Sequence, residues 1–369
     1  MRKLARPPAP VDSMVYPRYS GIATFLRLPH IRRPRQLDVA FVGVPFDTSA
    51  GYRVGARLAP RTIRYCSSQV RIHHPIHDLT THEQIRIADY GDVRTTPFEI
   101  EKTFGWITEE FDRIHAAGCK TIAVGGDHGI TYPILRAVAK HHGPLAIVHI
   151  DAHTDTFDTQ FDHKLTHATT FRRAHEDGLL IPEKVVQMGI RGSLFYPDDL
   201  KWSKEHYRIM PAPEIHGRPM DDVVAEMRRI VGDAPVYFTF DIDGMDPAYA
   251  PGTGVPEIGG LTSWQVMQII RGLAGLRLVG ADLVEVSPPC DTNDLTSITA
   301  AHILFEIAAA FAVSARRGDR GGRATRSRPR AARTSEDAGR GGPSRGSARS
   351  RRGEPMSAGR KGGGRAGRR

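Results

Sequence analysis

The segment LAIVHIDAHTD (residues 145–155) decides the fold. Its first six residues are almost continuously apolar, without polar alternation. Such a short run suits a strand covered on both faces, as in a parallel sheet flanked by helices. The run stops on a carboxylate, and an imidazole and a second carboxylate follow at two-residue spacing. The same form recurs three times. TIAV (121–124) enters GGDH (125–128), VYFTF (236–240) enters DIDGMDP (241–247), and RLVGADLV (277–284) enters EVSP (285–288).

Four further short runs, at 38–44, 86–88, 184–190 and 207–210, raise the candidate strands to eight. Helix-like stretches lie at 97–117, 132–142, 169–176, 221–231 and 263–272, and a longer apolar one at 296–315. Alternating strands and helices imply a mainly parallel sheet with helices on both sides. Neither an internal repeat nor a compositional linker interrupts 35–312, so a single α/β domain is expected.

Open α/β sheets place their sites at the carboxyl ends of strands. Asp151, His153 and Asp155 are two apart, as are Asp241 and Asp243. In extended chain that spacing turns side chains to one face. With His128 they supply two imidazoles and four carboxylates. Carboxylates gathered so closely repel and are driven to protonate unless a cation holds them. Oxygen and imidazole donors suit Mn²⁺ better than a thiolate-seeking metal. Taken singly, a strand-end Asp is usually a helix cap, and GG marks only a tight turn. Four such motifs in order, each at a strand end, point to a metal site.

Composition narrows the class. No apolar run approaches the roughly 18–20 residues that a membrane helix needs, and no apolar segment follows the basic N-terminus as in a secretory signal. A cytoplasmic protein is expected. Cys66, Cys119 and Cys290 are far apart and form no CxxC, so free thiols are expected. The net charge of +10 is local: residues 316–369 hold 18 of the 51 Lys and Arg and 4 of the 41 Asp and Glu, leaving 33 basic against 37 acidic residues elsewhere. The slightly acidic body argues against a nucleic-acid surface, although the tail could bind polyanions nonspecifically. That Arg/Gly-rich tail, 316–369, lacks the apolar content to order itself and is expected to be disordered. Residues 1–34, rich in Pro, are expected to be irregular. His73, His74, His77 and His82 lack a carboxylate scaffold and read as a polar loop. No P-loop, GxGxxG or GxSxG is present.

The chain resembles the ureohydrolase family of arginases and agmatinases. GGDH (125–128), DAHTD (151–155) and FDIDGMDP (240–247) carry the resemblance, supported by GYRVGARLAPRTIR (51–64), FRRAHEDGLLIPEKVVQMGIRG (171–192) and APGTGVPEIGG (250–260). It implies a three-layer α/β/α domain around an eight-stranded, mainly parallel sheet, over about 35–315. It also implies two Mn²⁺ per subunit and a homotrimer or homohexamer. His128, Asp151, Asp155 and Asp241 would hold one ion. Asp151, His153, Asp241 and Asp243 would hold the other. Paired ions would supply an activated water. Asp155 would then handle a proton, Glu285 would bind the guanidinium, and His167 would shuttle protons at the pocket mouth.

Arginases read the amino-acid end of arginine through Asn and Ser in the loop after DAHTD. Here that loop, TFDTQFDHKL (156–165), has neither, so agmatine is the favoured substrate. Two departures from the agmatinase pattern stand near the pocket: HATTF (167–171) replaces HGTPF, and Gly129 replaces a common Ser. Guanidinobutyrate, guanidinopropionate and other amidino compounds stay open. From other classes, a single-zinc amide deacetylase and a non-catalytic scaffold protein are the rivals.

Overall fold

The computed structural model describes residues 7–324, with side chains described to residue 316. Its ten strands are β1 (Val39–Gly43), β2 (His73–His74), β3 (Leu79–Thr80), β4 (Ile87–Asp92), β5 (Lys120–Val124), β6 (Leu145–Ile150), β7 (Leu180–Ile190), β8 (Arg208–Pro211), β9 (Val236–Asp241) and β10 (Leu278–Val284). The ten α-helices are α1 (Ala59–Ser67), α2 (Thr81–Gln84), α3 (Ile100–Ala116), α4 (Thr131–His142), α5 (Thr170–Glu176), α6 (Lys201–His206), α7 (Ala212–His216), α8 (Met220–Val231), α9 (Ser263–Gly272) and α10 (Leu295–Ala324).

Eight strands form one sheet in the order β4-β1-β5-β10-β9-β6-β7-β8, and its pairings are all parallel. These are the eight expected runs. The two-residue strands β2 and β3 form a separate antiparallel hairpin. Side-chain alternation divides the interior. Val39, Phe41, Ile122, Val148 and Phe238 pack with α1, α8, α9 and α10 on one face. Ala40, Val42, Ala123, Ile147 and Tyr237 pack with α3, α4 and α5 on the other. The layers are therefore α/β/α.

Residues 7–34 hold no long element, yet they are anchored. Phe25 is fully buried in the α1/α10 face, its N–H donating to Asp89 at 3.0 Å. One expectation needs correction. Leu295–Arg316 of α10 is long and apolar enough to cross a membrane. It is nevertheless a core helix, because its Ala300, Leu304, Ile307 and Ala308 are buried in the domain. The helix-like stretch expected at 296–315 is this helix; Glu306, the acid within it, is neutralised by Arg271 at 2.6 Å. The same helix continues to Ala324, past the boundary expected at 315; the tail beyond 324 lies outside the described residues.

Candidate metal centre

The four motif-bearing strands are neighbours: β5, β10, β9 and β6 form the middle of the sheet. Their carboxyl ends therefore open at one place. Asp151 continues the alternation of Ile147 and His149, and Asp241 that of Tyr237 and Thr239, so both carboxylates emerge toward the α3/α4/α5 side. Gly125 and Gly126 turn the chain after β5 with φ of +66° and +112°. A side chain at 126 would place Cβ 2.6 Å from the Val44 and Phe46 carbonyls. That turn brings His128 over the sheet end.

His128, Asp151, Asp241 and Asp243 are at most 3% exposed, and Asp155 is 8% exposed. His128 Nδ1 lies 3.0 Å from Asp151 Oδ2, 3.0 Å from Asp155 Oδ2 and 3.3 Å from Asp241 Oδ2. His153 Nδ1 lies 3.2 Å from Asp243 and 3.4 Å from Asp151. All six expected ligands thus converge. Backbone N–H groups orient the acids: Ala152 N donates to Asp243, Asp243 N to Asp241 and His153 N to Asp151.

The electrostatics favour a bound cation over a set of bare carboxylates. Burial, then Asp243 and Asp151, push Asp241 well above the ordinary carboxylate range. Burial and Asp151 raise Asp243 to about 6. Burial opposes a charged His128, yet the surrounding carboxylates raise it well above a normal imidazole. His128 Nδ1 nonetheless finds no hydrogen-bond geometry with any of them. A buried nitrogen ringed by carboxylate oxygens, and unbonded to them, fits a divalent ion better than a proton. The residues present therefore fit a metal.

His149 was not singled out in the sequence, because it sits inside the strand run. It is fully buried with Nε2 2.7 Å from Asp151 Oδ2. Gln187 Nε2 donates to the Thr154 carbonyl and meets His149 Nδ1 at 3.0 Å. Its amide hydrogen makes His149 Nδ1 an acceptor, so Nε2 carries the proton and gives it to Asp151. Although His149 groups with His128 and Asp151 by distance, it offers no lone pair to an ion and orients a ligand instead.

Glu285 sits just past β10 with φ of +63°. Its Oε1 accepts from His128 N–H at 2.8 Å and meets His167 Nδ1 at 3.2 Å. Gly51 N–H donates to His167 Nε2 at 3.0 Å. The neutral ring with its proton on Nδ1 satisfies both contacts. Burial lowers and Glu285 raises the ring's proton affinity, with a net rise to about 9. A second proton would set Nε2–H against the Gly51 N–H, so the loop geometry opposes that rise.

Both departures from the agmatinase pattern have local reasons. A Cβ at Gly129 would lie 2.2 Å from Ser49 Oγ. Ser49, bonded to Asp127 through Oγ and N–H, fills the space a serine at 129 would take. Thr170, in place of proline, opens α5, and its hydroxyl donates to the His128 and His167 carbonyls, 3.1 Å each. Ala168 borders the cavity.

Far from this site, His74 is buried and bonded to Glu306 at 3.0 Å, and His77 N–H donates to its Nδ1. The expected polar loop is thus partly a structural contact, and the described residues gather no metal-ligand group there.

Residues 37–310 match the arginase family model. The chain belongs to the arginase family. This arginase-family chain is 46% identical over 302 residues to a guanidinobutyrase of Pseudomonas aeruginosa, covering 81% of the chain and 95% of the relative. It is 44% identical over 307 residues to a mitochondrial agmatinase of Gallus gallus, covering 83% and 90%. The solved proclavaminate amidino hydrolase of Streptomyces clavuligerus superposes with a TM-score of 0.78 at 39% identity, covering 81% of the chain and 99% of that structure. The arginase-family chain is thus a metal-dependent hydrolase of guanidino compounds on an arginase fold.

Proposed function

We propose that this protein is a binuclear manganese hydrolase that converts agmatine and water into putrescine and urea. One observation carries the choice of substrate: the cavity offers no free cation to a substrate carboxylate. The cavity, about 360 Å³, is bordered by Asp155, His167, Asp241, Asp243 and Glu285 at the metal centre. Among its described lining residues, Arg191 alone is Arg or Lys. Its Nη atoms are spent on the carbonyls of Asp243, Met245, Glu257, Gly189 and Gly244, and its Nε on that of Ile258. Glu257 and Asp199, outside the ligand set, add negative charge to the lining. An ammonium end group suits such a wall, and Phe157, Phe195 and Val255 offer apolar cover to a methylene chain.

His128, Asp151, Asp155, His153, Asp241 and Asp243 would hold the two ions. Bound there, Mn²⁺ supplies Lewis acidity and a water of lowered pKa. Glu285, held by His128 N–H through Oε1, pairs with the planar guanidinium and orients its carbon. Asp155 accepts a proton as water adds to that carbon and returns it to the amine that leaves as the C–N bond breaks. His167, held between Gly51 N–H and Glu285, fixes the carboxylate from its Nδ1 and borders the cavity.

A guanidino acid is the second reading, favoured by the guanidinobutyrase relative at 46% identity. Urea release should be measured with agmatine, 4-guanidinobutyrate, 3-guanidinopropionate and arginine, each with Mn²⁺. Agmatine is expected to exceed 4-guanidinobutyrate at least ~10-fold in kcat/KM, the size of one lost end-group contact. Glu257→Gln should narrow that gap. A preference for either guanidino acid would overturn the agmatine assignment. One bound ion per subunit would overturn the binuclear one.

A further inference from the structure

Directly beneath the ligands, the sheet register lays a buried polar row across four strands. Asp282 on β10 pairs with Thr239 on β9, Thr239 with His149 on β6, and His149 with Gln187 on β7. Each is fully buried. The row is two residues below Asp151 and Asp241 on the same face, so it costs apolar packing in the middle of the sheet. Buried polar groups of this kind are tolerated only when paired.

The pairing has a direction. Asp282 faces only hydroxyl donors: Thr131 Oγ1 and Tyr237 OH each reach Oδ2 at 2.8 Å, and Thr239 Oγ1 reaches Oδ1 at 2.6 Å. A carboxylate accepts and does not donate. Thr239 has one hydrogen and spends it on Asp282. Its oxygen can therefore only accept from His128 Nε2, 2.9 Å away. The His128 proton is thereby placed on Nε2, and Nδ1 is left as a bare lone pair toward Asp151, Asp155 and Asp241.

We infer that Asp282, acting through the Thr239 hydroxyl, is a positioning residue that locks His128 in its metal-binding tautomer. This rests on the metal-centre reading above. Asp282 touches neither substrate nor ion. It sets the polarity of a three-membered relay, Asp282–Thr239–His128, whose output is the orientation of one lone pair.

Asp282→Asn tests the polarity without changing shape. The amide oxygen is held on the side of the two hydroxyls of Thr131 and Tyr237, which turns the amide NH₂ toward Thr239. The Thr239 hydrogen is then released toward His128 Nε2, and the imidazole proton is driven to Nδ1. Thr239→Val removes the relay, and Thr239→Ser restores the hydroxyl. Mn²⁺ binding should be measured on the full chain by electron paramagnetic resonance titration, with Mn²⁺ alone as the probe. Asp282→Asn and Thr239→Val are expected to weaken one of two Mn²⁺ sites by about 10–100-fold, the usual effect of losing an outer-shell partner. Thr239→Ser should stay within a few-fold of the wild type. Circular dichroism melts of the metal-free proteins identify any variant that fails to fold, and Thr239→Ser against the wild type controls for packing. Unchanged Mn²⁺ binding in folded Asp282→Asn and Thr239→Val would overturn the relay. A wild-type chain that binds no Mn²⁺ at saturation would instead overturn the metal-centre reading on which it rests.

Discussion

At the scale of single residues, the site is a set of exchanges of space and charge. Gly129 is glycine because Ser49 Oγ occupies the place of its Cβ, 2.2 Å away. Gly129→Ser should therefore overpack the site and destabilise the fold by roughly 1–3 kcal/mol, read as a fall in the denaturation midpoint. Ser49→Gly in the same chain should recover much of the loss, because it vacates that space. A single variant as stable as the wild type would contradict the account. Glu285 carries a different burden. Its Oε1 is committed to His128 N–H at 2.8 Å, so its charge is available to a guanidinium without rearrangement. Glu285→Gln should lower kcat/KM for urea release by roughly 10–150-fold, the value of a charge-assisted hydrogen bond. Bound Mn²⁺ should be unchanged by assay of metal content, since Glu285 is not a ligand.

At the scale of elements, helices α3 and α4 meet strand β5 around a buried imidazole. His115 Nδ1 meets His142 at 3.2 Å and Nε2 meets Thr121 at 3.1 Å. Burial, reinforced by His142 and His141, lowers its pKa to about 3. The unfolded chain, near 6.5 for histidine, binds a proton that the folded helix pair refuses. Stability from this group is thus complete above pH 6.5 and falls as the pH drops toward 3, by at most roughly 1.4 kcal/mol per pH unit. Urea unfolding of metal-free protein between pH 4.5 and 7 should show this slope, and His115→Gln should flatten it. Helix α1 shows why some elements escape pattern reading. Pro60 looks like a break, yet it stands at the first turn, where proline fits because that N–H has no helical partner. The short helices α2, α6 and α7 have too few turns to display a period.

At the scale of the whole domain, the sheet is covered on both faces, and the candidate metal centre lies at the carboxyl ends of its four central strands, so metal loading is expected to feed into stability. Removing divalent ions leaves Asp151, Asp241 and Asp243 to repel one another in a buried site. Chelation should lower the melting temperature, and Mn²⁺ at about 100 times its Kd should restore roughly 2.7 kcal/mol by binding the native state alone. Differential scanning fluorimetry with and without chelator checks this; a melting temperature indifferent to Mn²⁺ would remove the coupling. The long helix α10 contributes to the same closure. Its apolar side is not a surface for lipid but one wall of the core, as the burial of Leu304 and Ile307 shows.

The alternation of strands and helices, the residue pairs Asp151/His153 and Asp241/Asp243, and their place at strand ends were legible in the sequence. Each is a local property, written in spacings of two along extended chain and in the length of apolar runs. Tertiary structure alone decided what those side chains rest on and what lines the cavity. Sheet order made β5, β10, β9 and β6 adjacent, and register set Asp282, Thr239, His149 and Gln187 in one row. Folding spent the donors of Arg191 on carbonyls remote in sequence, so that a residue counted as a cation presents none to the cavity. Such pairings join residues dozens to more than a hundred positions apart, and no periodicity of the chain records them.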